Sequence, residues 1–217
     1  MATDNTITES IYKELYREIT HHELHPGENL TLTVLKKKFN VSHTPIREAL
    51  TRLSADGLVD YLPNKGMRVV NLTETEIREL FQFTAELEVL ALRFCSSAFT
   101  LAPLISELES MIEDEMKALA EEDIDAWHQV SGHFHNIFYR YSDNRYLNET
   151  AERMGARMEL MSYVYSGPGS ETKIHQRHIG IYEAVKAQDF DLAADRIRAH
   201  LQFSMMNVLD ELKKSKH

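Results

Sequence analysis

The run Val41-Ser42-His43-Thr44-Pro45-Ile46-Arg47-Glu48-Ala49-Leu50 constrains this chain more than any other stretch. Thr44 is of the N-cap type, and Pro45 suits the first helical position, where a missing N–H costs nothing. Ile46, Ala49, Leu50 and Leu53 then fall at i, i+3, i+4 and i+7, which makes one apolar face. The other face carries Arg47, Thr51, Arg52 and Ser54, whose groups hydrogen-bond to phosphates and base edges. The spacing predicts a helix packed on one side and offered to a polar partner on the other.

The flanking segments extend that reading. Leu32, Leu35 and Phe39 mark a short amphipathic helix, and Asn40-Val41-Ser42 is a tight turn. Helix, short turn and second helix make the helix-turn-helix pattern, whose second helix enters the DNA major groove. Downstream, 58–62 and 67–70 are short β-like runs separated by the turn signal Pro63-Asn64-Lys65-Gly66. A hairpin in that place is a wing, and Lys65 and Arg68 charge it. The residues expected on DNA are Thr33, Lys36, Ser42, His43, Thr44, Arg47, Arg52, Lys65 and Gly66.

Charge supports the division of labour. The whole chain carries a formal charge of −10, yet residues 31–70 hold seven Lys+Arg against three acids. A local basic patch on an acidic protein suits DNA contact confined to one face.

On these residues the segment 7–70 resembles the winged helix-turn-helix of GntR-family bacterial transcription regulators. The resemblance rests on Pro26-Gly27-Glu28 with Leu30, on Val41-Ser42 followed by Thr44 through Leu50 and Leu53, on Asp56-Gly57-Leu58-Val59, and on Asn64 with Gly66. One position departs. The family usually has Arg directly after the Ser, and this chain has His43, a shorter side chain with fewer donors.

With 217 residues the chain suits one to two domains at about 150 residues each. No apolar run approaches the roughly 20 residues of a membrane span. The N-terminus is polar, without a signal-peptide core. The single cysteine, Cys95, excludes an internal disulfide and lies in an apolar stretch as a packed small residue. A cytoplasmic protein is expected.

The expected boundaries are 1–71 for the DNA-binding domain and 72–217 for a second, all-helical one. Thr73 with Glu76 is a capping-box signature. Ile77, Leu80, Phe81, Leu87, Leu90, Ala91 and Phe94 trace a first long helix, and Pro103 opens a second. Asp123 caps a third helix with Trp127, Phe134, Ile137, Phe138 and Tyr141. Asn144 begins a fourth with Leu147, Met154, Met158 and Met161, broken by Gly167-Pro168-Gly169-Ser170. A fifth runs to about Ala187, and Asp189 caps a sixth. The fold class is therefore mainly α, a winged helix-turn-helix followed by an antiparallel six-helix bundle.

Histidine is the chemical content of that bundle, with seven of the chain's 11 lying beyond residue 120. His128, Ser131 and His135 share a helix face, as do His175 and His178. From His178 to His200 the chain makes one helix, a short turn and part of another, which sets the two imidazoles on neighbouring antiparallel helices. Imidazoles converging inside a bundle hold divalent transition metals.

Residues 75–217 resemble the FCD ligand-binding domain of the FadR-like branch. The resemblance is carried by Leu87-Glu88, Phe134-His135, His178 with Ile181, Asp189, Ala193 and Arg198-Ala199-His200-Leu201. It implies a metal held by His135, His178 and His200, with an Asp one turn before the first His. Here that position is Ser131; three neutral imidazoles still suit Zn²⁺ or Ni²⁺, and His128 or His175, each on a face with one of those ligands, offers a fourth nitrogen. A family Arg that pairs with an effector carboxylate is Thr84 here, so an organic acid is a weaker expectation than a larger or less charged ligand. Thr84, Ser131 and His175 are the expected pocket residues, with Met154, Met158, Met161, Met205 and Met206 as adaptable filler.

The sequence is therefore read as a ligand-responsive, homodimeric regulator, a repressor by family habit, that binds a two-fold operator and senses a small metabolite. The alternatives are a metal-dependent hydrolase, for which no His-Glu-x-x-His motif supplies a general base, and a purely structural metal site.

Overall fold

The computed structural model describes residues 4–63, 66–96, 100–164 and 170–214. Contacts divide the chain into two compact units, one comprising Met1–Thr73 with Arg153–Tyr163 and the other Glu74–Glu152 with Val164–His217.

The first unit holds α1 (Asp4–Thr20), β1 (Asn29–Leu30), α2 (Leu32–Phe39), α3 (His43–Ala55), β2 (Val59–Leu62) and β3 (Gly66–Val69). Its core forms where Ile11, Leu15 and Ile19 of α1 are buried with Ile46, Ala49, Leu50 and Leu53 of α3. The apolar stripe read from the sequence is thus the packed face. Thr31 caps α2 by accepting from the Val34 N–H at 3.4 Å. The helix ends on Asn40 in the left-handed conformation, a residue type that tolerates it.

The start of α3 differs from expectation. Its N-cap is Ser42, not Thr44, and Pro45 stands third rather than first in the helix. The reason is that the first four N–H groups of any helix lack an intrahelical partner, so proline is tolerated through the first turn. The hairpin β2–β3 pairs Val59 with Val69 and Leu62 with Gly66. Sequence reading missed β1, which pairs antiparallel with β3 to give the order β1-β3-β2. A two-residue strand leaves no alternation to detect.

Six further helices follow among the described residues: α4 (Glu74–Ser96), α5 (Ala102–Ala120), α6 (Ile124–Tyr141), α7 (Arg145–Val164), α8 (Ser170–Lys186) and α9 (Phe190–Lys214). The contacts are α4 on α6 and α9, α5 on α6 and α8, and α8 on α9. Asp123 caps α6 by accepting from the Ala126 N–H at 2.9 Å, and Asp189 caps α9 by accepting from Leu192 at 3.0 Å. Asn144 accepts from Tyr146 and Leu147 at the start of α7. The expected break at Gly167-Pro168-Gly169 lies outside the described residues. Cys95 is buried and donates to the Phe138 carbonyl at 3.2 Å, and burial pushes its thiol up to about 11.

The apolar face of α4 is a correction. Its buried residues are Ile77, Leu80, Phe81, Thr84, Ala85, Glu88, Val89, Ala91, Leu92 and Cys95. Leu90 and Phe94 are exposed and Leu87 is half-buried, so three of the seven residues that trace this helix in the sequence lie off its buried face. Together with exposed Phe83 they form a second stripe at helical spacing. The helix is apolar on two sides, and periodicity does not say which side faces its own core. Among the methionines Met161 and Met205 are buried and Met206 is exposed.

Candidate functional site

Two surfaces carry chemistry. The first is the exposed start of α3. Ser42, His43, Thr44 and Arg47 are all exposed there, as are Thr33 and Lys36 on α2. Gly66 opens β3 exposed, with φ of +88°, and Lys65 lies outside the described residues. Arg52 sits apart from this set. Its Nη1 donates to Glu9 at 2.7 Å and its guanidinium lies 4.1 Å from the Tyr12 ring centroid. Glu9 and Tyr12 belong to α1, so this arginine ties α1 to α3.

The second surface is internal. Ring nitrogens of His135 on α6, His178 on α8 and His200 on α9 all lie within 4.8 Å of one another. The Nε2 atoms of His135 and His200 are 3.1 Å apart. Phe134 stacks on His178 with centroids 4.1 Å apart and planes inclined by 11°, which fixes that ring. The triad follows from element order. Asp189 ends the turn after α8 and starts α9, so His178 and His200 meet on adjacent helices.

Each of two imidazoles is held from behind by a carboxylate. His135 donates from Nδ1 to Glu88 of α4 at 2.6 Å. His178 donates from Nδ1 to Glu115 of α5 at 2.6 Å, and His175 donates to the other Glu115 oxygen at 2.9 Å. These bonds leave Nε2 of His178 buried without a partner, and Nδ1 of His200 is likewise orphaned. Burial opposes charge on Glu115, but His178 and the two N–H donors outweigh it and hold the carboxyl down at about 2. Burial lowers His178, and it lowers His200 further with the help of the neighbouring imidazoles. Burial also works against a charge on His135, yet Glu88 raises it above its ordinary value.

This donor set fits a divalent transition metal. The residues that would hold it are His135, His178 and His200, and an orphaned buried Nε2 between a carboxylate-bound Nδ1 and two other rings is what a metal-facing imidazole requires. Ser131 is buried one turn before His135, and Thr84 is buried with its hydroxyl unpartnered. His175 is turned to Glu115, and His128 is buried on the face of α6 that holds Ser131. Sequence reading did not single out Glu115. The signal was present. Leu104, Leu108, Glu115 and Ala118 are the buried residues of α5, so a carboxylate occupies the apolar register of an otherwise acidic helix.

A winged helix-turn-helix joined in one chain to a helical domain marks a DNA-binding regulator. Comparison with known proteins agrees. Residues 7–69 match the family described as bacterial regulatory proteins, gntR family, and residues 79–203 match the FCD domain. The chain belongs to the gntR family of transcription regulators, in the group that carries an FCD domain. It is 25% identical over 199 residues to the HTH-type transcriptional repressor RspR of Escherichia coli, covering 90% of this chain and 86% of RspR. The fold is that of E. coli McbR/YncC, with a TM-score of 0.78, 22% identity, and coverage of 98% of this chain and 100% of that one. A structure described as the metal-free FCD domain of TM0439 aligns with a TM-score of 0.56 and 16% identity, over 66% of this chain and 99% of that one. These families and relatives are regulators, which sets the hydrolase alternative aside. Among the described residues no helix is long and apolar enough to cross a membrane.

Proposed function

We propose that the chain is a homodimeric repressor whose operator affinity is set by a small metabolite bound at the histidine cluster, with Zn²⁺ or Ni²⁺ held by His135, His178 and His200. The observation that carries this reading is the cluster itself. Three rings converge from three helices, and two of them are oriented by buried carboxylates so that Nε2 points inward. When bound, the metal would supply Lewis-acidic positions for an oxygen-bearing effector. The protein's share is orientation. Glu88 and Glu115 hold two rings in one tautomer, and Phe134 stacks on the face of His178.

At the other end, Thr33, Lys36, Ser42, His43, Thr44, Arg47, Lys65 and Gly66 form the proposed DNA-contacting set, with Arg47 nearest in kind to a base reader. The exposed Phe83, Leu90 and Phe94 stripe supports a homodimer, since a symmetric operator needs two heads. An effector that prefers one arrangement of the heads would shift the population that binds DNA.

The test is metal analysis of the purified dimer, followed by operator titrations with candidate metabolites before and after chelation. The reading expects a stoichiometric metal per chain, a lower melting temperature after chelation, and an effector response that chelation and His178→Ala both abolish. A chelator-sensitive melting temperature with no effector response from any metabolite would favour a structural metal site. A retained response without metal would make the histidines direct partners of the effector.

A further inference from the structure

Glu88 and Glu115 are the two carboxylates at the heart of the helical unit, each with no exposed surface. Among the described residues neither is paired with Lys or Arg, and their recorded ion partners are histidines alone. A buried carboxylate without a cation is costly, and a neutral N–H donor repays only part of that cost. Both carboxylates stand one imidazole away from the proposed metal position, Glu88 behind His135 from α4 and Glu115 behind His178 from α5.

Resting on the metal reading above, we propose that Glu115 and Glu88 are positioning residues that supply from the outer shell the two negative charges a dication needs here. Three neutral imidazoles and Ser131 give a bound dication no charge of their own. Two outer carboxylates bring the buried assembly to neutrality, and they also make the facing nitrogens better donors. The geometry keeps Glu115 in that outer role. Its Oε1 is taken by His178 at 2.6 Å and its Oε2 by His175 at 2.9 Å, so neither oxygen is free to swing onto the metal. His175 is thereby assigned to locking Glu115 and not to ligation. Glu88 keeps Oε2 unpartnered, and a water or an effector donor is the group that oxygen suits. The serine at position 131 follows from the same arrangement, since charge carried behind the imidazoles makes a carboxylate on the metal itself dispensable.

The experiment uses the whole 217-residue chain stripped of metal, titrated with Zn²⁺ alone against a competing chromophoric chelator, and with Co²⁺ alone for its visible spectrum. Glu115→Gln and Glu88→Gln are each expected to weaken Zn²⁺ binding about ten- to a hundredfold and to change the Co²⁺ bands. The metal-free melting temperature is expected to fall for Glu115→Gln, since one amide oxygen cannot accept from both His178 and His175, so the Zn²⁺ affinity and the Co²⁺ bands, and not the melting temperature, are the readout. Ser131→Asp placed in the Glu115→Gln background is expected to recover most of the lost affinity, a rescue that a merely structural role for Glu115 does not produce. If Glu115→Gln fails to fold, Glu88→Gln with and without Ser131→Asp gives the same readout. Wild-type Zn²⁺ binding that the Gln variants leave within about twofold overturns this inference and leaves the metal reading standing. A wild-type protein that takes up no Zn²⁺ or Co²⁺ overturns both.

Discussion

Arg157 donates from Nε to the main-chain carbonyl of Gly57 at 3.0 Å, across 100 residues of sequence. Gly57 ends the turn after α3 with φ of +74°, and a Cβ built there would lie 2.5 Å from the same Nε. The backbone conformation favours glycine, and any Cβ there would also displace the Arg157 guanidinium from its hydrogen bond. Gly57→Ala is therefore expected to lower stability by more than the about 1–2 kcal/mol of a left-handed alanine. Arg157→Ala should cost about 1 kcal/mol for its hydrogen bond and packing. Because the second change removes the obstacle to the first, the double variant should lose less than the sum, read by urea unfolding. Simple additivity would show that the arginine yields without cost.

Arg47 and Arg52 stand five residues apart on one helix in different surroundings. Arg47 is exposed near the start of α3, and its side chain is absent from the fold's packing. Arg47→Ala is expected to weaken specific operator binding by about 1–3 kcal/mol with an unchanged melting temperature. Arg52 is engaged by Glu9 and Tyr12. Its alanine variant is expected to lower the melting temperature slightly and to change operator affinity less than Arg47→Ala does. Gel-shift titrations at fixed salt decide it, and equal losses at the two positions would show that Arg52 leaves Glu9 for DNA.

Where a residue has one dominant environment, the sequence showed it. The face Ile46, Ala49, Leu50 and Leu53 has no rival interpretation, and it is the packed face of α3. The spacing from His178 to His200 fixes one helix, one turn and part of another, and those rings do meet. Legibility failed where two environments leave the same pattern. Leu87, Leu90 and Phe94 repeat at helical spacing as core residues do, but they lie on the side of α4 away from its core. Ser42 and Thr44 are both cap types, and proline is as acceptable third as first, so the start of α3 was read two residues late. Glu115 was hidden among the acids of α5, because its partners His175 and His178 stand 60 and 63 residues away.

His22 gives the first unit a pH dependence. It sits with φ of +59°, and its Nε2 lies 3.2 Å from the Leu160 carbonyl, to which it donates. Burial holds its pKa below the ordinary 6.5. The unfolded chain therefore binds a proton that the folded chain resists, so stability is full above that value and falls as pH drops below it. His22→Asn keeps a residue type tolerant of the left-handed conformation and cannot titrate. Its unfolding free energy should fall less between about pH 7.5 and 5.5 than that of the wild type, while the other buried imidazoles keep some slope in both. Identical slopes would show that His22 contributes nothing to it.

The second stripe of α4 makes the sharpest claim about assembly. Phe83, Leu90 and Phe94 are 50%, 43% and 42% exposed, and Leu87 lies between them on the same face. One such residue alone would be ordinary, but four in register over three turns form a patch of the kind that marks an interface. A two-fold contact pairs the stripe with itself, and large apolar side chains are what an isologous interface buries. Leu90→Glu and Phe94→Glu each place a charge, and its copy, in the middle of that contact. Light scattering should then report the mass of one chain for the variants and of two for the wild type. Operator affinity should fall with it, because two half-sites are no longer read by one molecule. The melting of the monomer's own core should change little, since neither side chain is part of it. A variant that stays dimeric and keeps its operator affinity would move the interface to another face of the helical unit.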